Sequence, residues 1–114
     1  MLIGELSRIS GVDARLLRYY EAQGLLEPRR GANGYREYDE DSVVVVRQIR
    51  ALLEAGLSTE VIRAVLPCVR GELPEFDWCV DVRAIMDREL AIAEERIAEL
   101  QRSRSNLAGF LGKS

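Results

Sequence analysis

From Met86 onward, seam residues return at steps of alternately four and three: Met86, Leu90, Ala93, Ile97, Leu100, Arg104, Leu107 and Leu111, with Arg104 the single polar interruption. This spacing is the heptad pattern of a coiled coil. It predicts one helix over residues 80–111, about 48 Å long at roughly 1.5 Å per residue. The chain has 114 residues, so the part preceding this helix is small. A helix this long on a small domain cannot bury its own stripe, which predicts a partner helix and assigns the apolar seam residues to dimerisation.

Four short segments precede it. Ile3, Leu6 and Ile9 share helical spacing over residues 3–10, and Gly11 breaks the run. Asp13 is a good N-cap for a second helix over residues 14–23, which Gly24 stops. Leu16, Leu17 and Tyr20 form its apolar face, and Arg15, Arg18 and Tyr19 a different face that is polar and aromatic. Two short helices joined by a tight glycine turn read as helix-turn-helix.

Asn33-Gly34 then gives a strong hairpin signal, since a type I′ turn needs positive φ at both central residues. Residues 25–29 and 35–38 are the expected strands, with Pro28 confining the first to an edge. Gly31 and Ala32 point to a longer loop than two residues. A hairpin directly after a helix-turn-helix is a wing.

A third helix is expected from Asp39, with Glu40 and Asp41 at its dipole-positive end and Val43, Val46, Ile49, Leu52 and Leu53 buried. Ser58 caps a fourth, with Val61, Ile62, Val65 and Leu66 inward and Pro67 ending it. The expected organisation is a DNA-binding domain over residues 1–70, a linker over 71–79 and a dimerisation helix over 80–111. The linker expectation reaches back to Pro67, taking in Gly71 and Pro74.

The net charge is −3, yet residues 8–36 carry six arginines against Asp13, Glu21 and Glu27. The positive potential is thus focused at the N-terminal end, and arginine suits bidentate phosphate and guanine contacts. There is no histidine, which removes the commonest general base and the commonest zinc ligand. No convergent constellation of Ser, Cys or carboxylates suggests an active site, so an enzyme is not expected, and neither is a cofactor. The longest aliphatic run, residues 43–46, is too short to cross a bilayer, and the N-terminus lacks the pattern of a secretory signal. A cytoplasmic protein with no membrane partner is the expectation.

The stretches Ile3-Gly4-Glu5-Leu6, Gly11-Val12, Leu17-Arg18-Tyr19-Tyr20-Glu21, Gly24-Leu25-Leu26, Gly34-Tyr35-Arg36-Glu37-Tyr38 and Gly56-Leu57-Ser58 resemble the N-terminal domain of MerR-family transcription regulators. The resemblance covers about the first 70 residues as motif and the rest as architecture. It implies a mostly α fold: a winged helix-turn-helix domain with a small β-hairpin wing, then a long helix forming an antiparallel coiled-coil dimer. It also implies a mechanism. Such dimers bind a pseudo-palindrome between two promoter elements set too far apart, and distort double-stranded promoter DNA so that RNA polymerase engages both. Readout then works through DNA deformability. Family members usually sense their signal through residues after the coiled coil. Here Gly112-Lys113-Ser114 follow it, leaving no room among these residues for a drug-binding domain or a cysteine-rich metal loop.

On this reading Arg15, Arg18 and Tyr19 are the major-groove residues, against the blander reading of a solvated face in which Arg18 pairs with Asp13 or Glu21. Tyr35 and Arg36 would meet phosphates from the wing, with Tyr38 added to the DNA-binding set although strand alternation could turn it inward; Tyr20 is either a contact or core. Cys68 and Cys79 bracket the linker and leave three readings open: inert thiols, a redox pair, or a two-thiolate metal site shared between protomers. Trp78 with Phe76 either anchors the linker or lines a small ligand pocket. The rival function is a coiled-coil adaptor or antagonist that keeps the fold and acts by protein contact. Loss of Arg18 or of Tyr35-Arg36 would favour that rival, and all three are present.

Overall fold

The structure is a computed structural model that describes residues 1–31, 34–71 and 75–113. It divides into two units, residues 1–78 and residues 79–114.

In the first unit, α1 (Ile3–Ser10) ends on Gly11, whose φ of 73° places it in the left-handed region that favours glycine. The Gly11 N–H donates to the Ser7 carbonyl at 2.9 Å and closes the helix. The chain thereby turns within three residues into α2 (Ala14–Ala22), where the Arg15 N–H donates to Asp13 Oδ1 at 2.9 Å. That cap satisfies one of the four orphan donors at a helix start. α1 packs on α2 and on α3 (Glu40–Glu54), and α3 packs on α4 (Thr59–Val65). Leu6, Leu17, Tyr20, Val46, Ile49, Ile62 and Val65 are fully buried where these helices meet. Ser58 caps α4 by accepting from the Val61 N–H at 3.2 Å. Arg63 ties α4 back to the end of α2, its Nε donating to the Gln23 carbonyl at 2.7 Å.

Several expectations shift in detail. Ile9 is exposed while Ile3, Leu16 and Leu53 are half-buried, so each apolar stripe is narrower than its spacing suggested. Gln48 is buried on α3, where its Nε2 donates to the Gly71 carbonyl at 3.1 Å. The wing is a two-stranded antiparallel pair, β1 (Arg29–Arg30) and β2 (Arg36–Glu37), with Arg30 opposite Arg36. Residues 25–28 are not strand: Leu25 and Leu26 are buried in the core instead. The wing loop is closed by the Gly34 N–H donating to the Gly31 carbonyl at 3.0 Å, with Gly34 at φ 81°. A two-residue Asn33-Gly34 turn would pair Ala32 with Tyr35, so the observed register replaces it with a longer loop. Asn33 and Ala32 themselves lie outside the described residues.

The segment read as a linker holds structure. A 3-10 turn, Leu66–Cys68, leads into β3 (Val69–Arg70), which pairs antiparallel with β4 (Glu75–Phe76). The Asp77 N–H donates to the Cys68 carbonyl at 2.8 Å, and Arg70 Nη2 lies 2.9 Å from Asp77 Oδ2. Residues 75–78 therefore belong to the first unit. Strands of two residues are too short to show an alternating pattern, so periodicity could not reveal them.

The second unit is built on α5 (Val80–Phe110), 31 residues long. It ends in a Schellman arrangement: the Lys113 N–H donates to Ala108, the Gly112 N–H to Gly109, and Gly112 takes a φ of 70°. Leu90, Ile97, Leu100, Leu107 and Leu111 are each more than half exposed, the last 71%. Ala93 is exposed as well, and Met86 is half-buried.

The core makes two opposite stability predictions. Leu17→Ala should cost about 2–5 kcal/mol in chemical denaturation, as a cavity in a fully buried site does. Tyr20 is fully buried, and its hydroxyl has no hydrogen-bond partner among the described residues. Tyr20→Phe removes that unpaired group and should be neutral or stabilising by about 1 kcal/mol.

Candidate nucleic-acid interface

The Asp13 cap fixes where α2 begins, and with it which residues face out. Leu17 and Tyr20 point into the core, while Arg15, Arg18 and Tyr19 are exposed. The Tyr19 ring is 47% exposed and lies 6.4 Å from the Tyr20 ring, centroid to centroid. An exposed tyrosine beside two arginines offers both a flat apolar face and charged donors.

The wing is brought against this helix by Glu21. Its carboxylate is only 13% exposed and accepts from Arg36 Nη1 at 3.3 Å. Its second oxygen is 3.5 Å from the Tyr38 hydroxyl. Arg36 itself remains exposed, and with Arg18, Glu21, Ala22 and Pro28 it lines a shallow notch of about 390 Å³. Arg18 from α2 and Arg36 from β2 thus border the same depression. At the base of the wing Arg29 Nη2 lies 3.4 Å from Asp39 Oδ2, joining β1 to the start of α3. Tyr35 is 66% exposed on the outer part of the wing.

Tyr38 departs from the expected set. It is only 2% exposed, so its ring is part of the core and cannot lie against a nucleic acid. Its backbone explains the position: the Tyr38 N–H donates to the Met1 carbonyl at 2.7 Å, and the Met1 amino group donates to the Tyr38 carbonyl at 2.6 Å. These bonds hold residue 38 under the wing rather than on its outer surface. Burial pushes its phenol pKa up, and the negative charge of Glu21 adds to this, while Arg36 and Arg18 pull the other way. Glu21 is the residue that sequence reasoning undervalued. It entered only as a partner for Arg18, whereas the structure gives it to Arg36, fifteen residues away and beyond any local spacing rule.

Cys68 is half-buried and Cys79 exposed, both as free thiols. Cys79 is the N-cap residue of α5. Trp78 is 53% exposed and stacks on Phe76 with centroids 5.0 Å apart. Among the described residues no group of three or more His, Cys, Asp or Glu is placed to hold a metal ion. No helix among them is long and apolar enough to cross a membrane.

A capped helix presenting two arginines and a tyrosine, entered through a tight glycine turn and flanked by a hairpin, defines a winged helix-turn-helix of the DNA-binding class. Comparison with known proteins gives the family. Residues 1–67 match the family described as "MerR HTH family regulatory protein", and residues 43–110 match "MerR, DNA binding". The HTH-type transcriptional regulator HmrR of Sinorhizobium medicae is 37% identical over 102 residues, 89% of this chain and 67% of that protein. The HTH-type transcriptional regulator ZntR of Escherichia coli K12 is 36% identical over 106 residues, 92% of this chain and 74% of that protein. Among solved structures, the transcription regulator PbrR691 from Ralstonia metallidurans CH34, in complex with lead(II), superimposes with a TM-score of 0.79 at 28% identity. That match covers 96% of this chain and 84% of PbrR691. The chain belongs to the MerR family: it is a DNA-binding transcription regulator, a non-enzymatic class.

The buried Tyr38 phenol gives a pH prediction. Its pKa in the folded protein is raised, so its contribution to stability is complete below the unfolded-state value of about 10. That contribution is lost as pH rises from there toward the folded-state value. Denaturant unfolding across this alkaline range should show wild type losing stability faster than Tyr38→Phe. Parallel losses in the two proteins would show that the phenol does not control the alkaline limit.

Proposed function

We propose that this regulator acts in the cytoplasm as a homodimer that binds promoter DNA and distorts it. In this reading Arg15, Arg18 and Tyr19 enter the major groove, and Tyr35 and Arg36 contact phosphates from the wing. The observation that supports it is the notch bordered by Arg18 of α2 and Arg36 of β2, which sets an exposed arginine of the helix and an exposed arginine of the hairpin side by side, as a helix in the groove flanked by a hairpin on the phosphates would need. RNA polymerase is affected indirectly, through the shape of the promoter. Bending or untwisting a duplex costs on the order of 1–6 kcal/mol, which two heads acting together can supply through phosphate contacts. The exposed seam of α5 supports the dimer. Five of its residues leave more than half of their surface in water, an arrangement that a partner helix removes.

Two measurements test this reading. Binding should weaken steeply with salt, because neutralised phosphates release counterions. Arg36→Ala should weaken specific and non-specific binding alike and lower the salt slope by about 1, whereas Arg15→Ala or Arg18→Ala should relax preference at one position in each half-site. An unchanged slope in Arg36→Ala would remove the wing from the interface. Separately, Ile97→Glu places an unpaired charge in the seam, costing roughly 3–5 kcal/mol, and should sediment as a monomer. A fully dimeric Ile97→Glu protein would remove α5 from the dimer contact.

A further inference from the structure

Two arginines border the notch between α2 and β2, and one carboxylate is divided unequally between them. Glu21 stands three residues after Arg18 on α2, a spacing at which the two side chains can pair. The carboxylate goes to Arg36 instead: its Oε2 lies 3.3 Å from Nη1, and its Oε1 faces the Tyr38 hydroxyl at 3.5 Å. The Glu21 side chain is 13% exposed against 62% for Arg36, so the acid is set deeper than the guanidinium it holds. Arg18 has no ion-pair partner among the described residues. Among those same residues, Glu21 is the one acid that lines the notch.

What this does to DNA binding depends on the reading above, in which Arg18 enters the groove and Arg36 meets a phosphate. A guanidinium carries five N–H donors in a rigid fork, and the contact with Glu21 engages one nitrogen, so the outer donors remain for a phosphate. The carboxylate thus orients the fork and, at the same time, repels a phosphate that approaches it. These two effects weigh differently on two kinds of complex. Binding to arbitrary sequence is a matter of phosphate charge, so it feels the repulsion and gains nothing from a fixed orientation. In a complex with the correct site, base contacts fix the register, and the phosphate arrives where the oriented fork can take it. There the orientation offsets the repulsion. Discrimination is the ratio of the two affinities, and a repulsive element that weakens the wrong complex raises it.

We infer that Glu21 is a specificity-determining residue of this regulator: by pairing with Arg36 and leaving Arg18 unpaired, it suppresses binding to arbitrary DNA more than binding to the promoter site. Glu21 is a positioning residue. It acts through Arg36 and does not itself touch the DNA.

Glu21→Gln in the full chain keeps the shape of the side chain and removes its charge. Fluorescence anisotropy across a salt series reads two affinities, one for a duplex selected by the wild-type protein from a random library and one for a mixed-sequence duplex without that site. In Glu21→Gln the mixed-sequence duplex should bind more tightly, its salt slope should steepen by up to about 1, and the specificity ratio should fall at least about threefold. Glu21→Asp keeps the charge but withdraws it from Arg36 by one methylene. It should leave mixed-sequence binding near the wild-type value and weaken the selected site. The gain in Glu21→Gln should vanish when Arg36→Ala is added, as a coupled pair requires. Parallel weakening of both duplexes in Glu21→Gln would make Glu21 a support of the fold alone and overturn the inference. Unchanged affinities, or a gain that persists without Arg36, overturn it as well. If Glu21→Gln does not fold by its helix content, Glu21→Asp decides alone, and equal changes at both duplexes count against the inference. Failure of the interface reading shows separately, as an Arg36→Ala protein with an unchanged salt slope.

Discussion

Leu90, Ile97, Leu100, Leu107 and Leu111 stand on one side of a 31-residue helix and leave more than half of their surface in water. Fully burying a leucine or isoleucine side chain is worth roughly 1.5–3 kcal/mol relative to leaving it exposed. No short helix of the first unit is long enough to cover a stripe of this length. In the dimer proposed above the stripe is covered by another copy, and the two DNA-binding heads are carried as a pair. The Schellman stop at Gly112 and the start at Val80 limit how far the paired helix can extend.

Within each head, the corresponding constraint is the set of bonds around Glu21. Arg36 and Tyr38 both reach its carboxylate, which joins β2 to α2 across fifteen residues of chain. With Arg36 more than half exposed, this ion pair contributes little to stability. Its consequence is positional: Arg36 is held beside Arg18, so that the wing and the helix present one surface. Asp39 does the same at the other end of the hairpin by holding Arg29. Acidic residues thus place the arginines of a chain whose net charge is negative, and the cationic face is a matter of arrangement rather than of excess.

Much of this architecture is legible in the sequence, where the signal is local. Gly11, Asp13, Gly24, Gly56 and Ser58 mark the short helices because each acts through its own backbone or its own side-chain oxygen. The heptad seam was legible because its period runs for four turns of the repeat. The second hairpin was not, since two-residue strands carry no period and the bonds that place it come from Asp77 and Gln48 at a distance. Tyr38 was placed on the DNA-binding surface because it follows Tyr35 and Arg36 in sequence. Its pairing with the backbone of Met1 turns it inward; strand alternation allowed that orientation, but the bond to Met1 has no local signal. Arg15, Arg18, Tyr19 and Tyr35 are exposed, as a contact surface requires.

The central claim is that two heads, coupled through α5, engage one promoter together. Native mass spectrometry with titration calorimetry, using duplexes that carry either the full inverted repeat or a single half-site, addresses it most directly. The account predicts a complex of two chains per full-site duplex, no populated one-chain species, and binding to the half-site weaker by about a hundredfold or more, as effective concentration requires for linked sites. A stable complex of one chain with one half-site, as tight as the full-site complex, would contradict it.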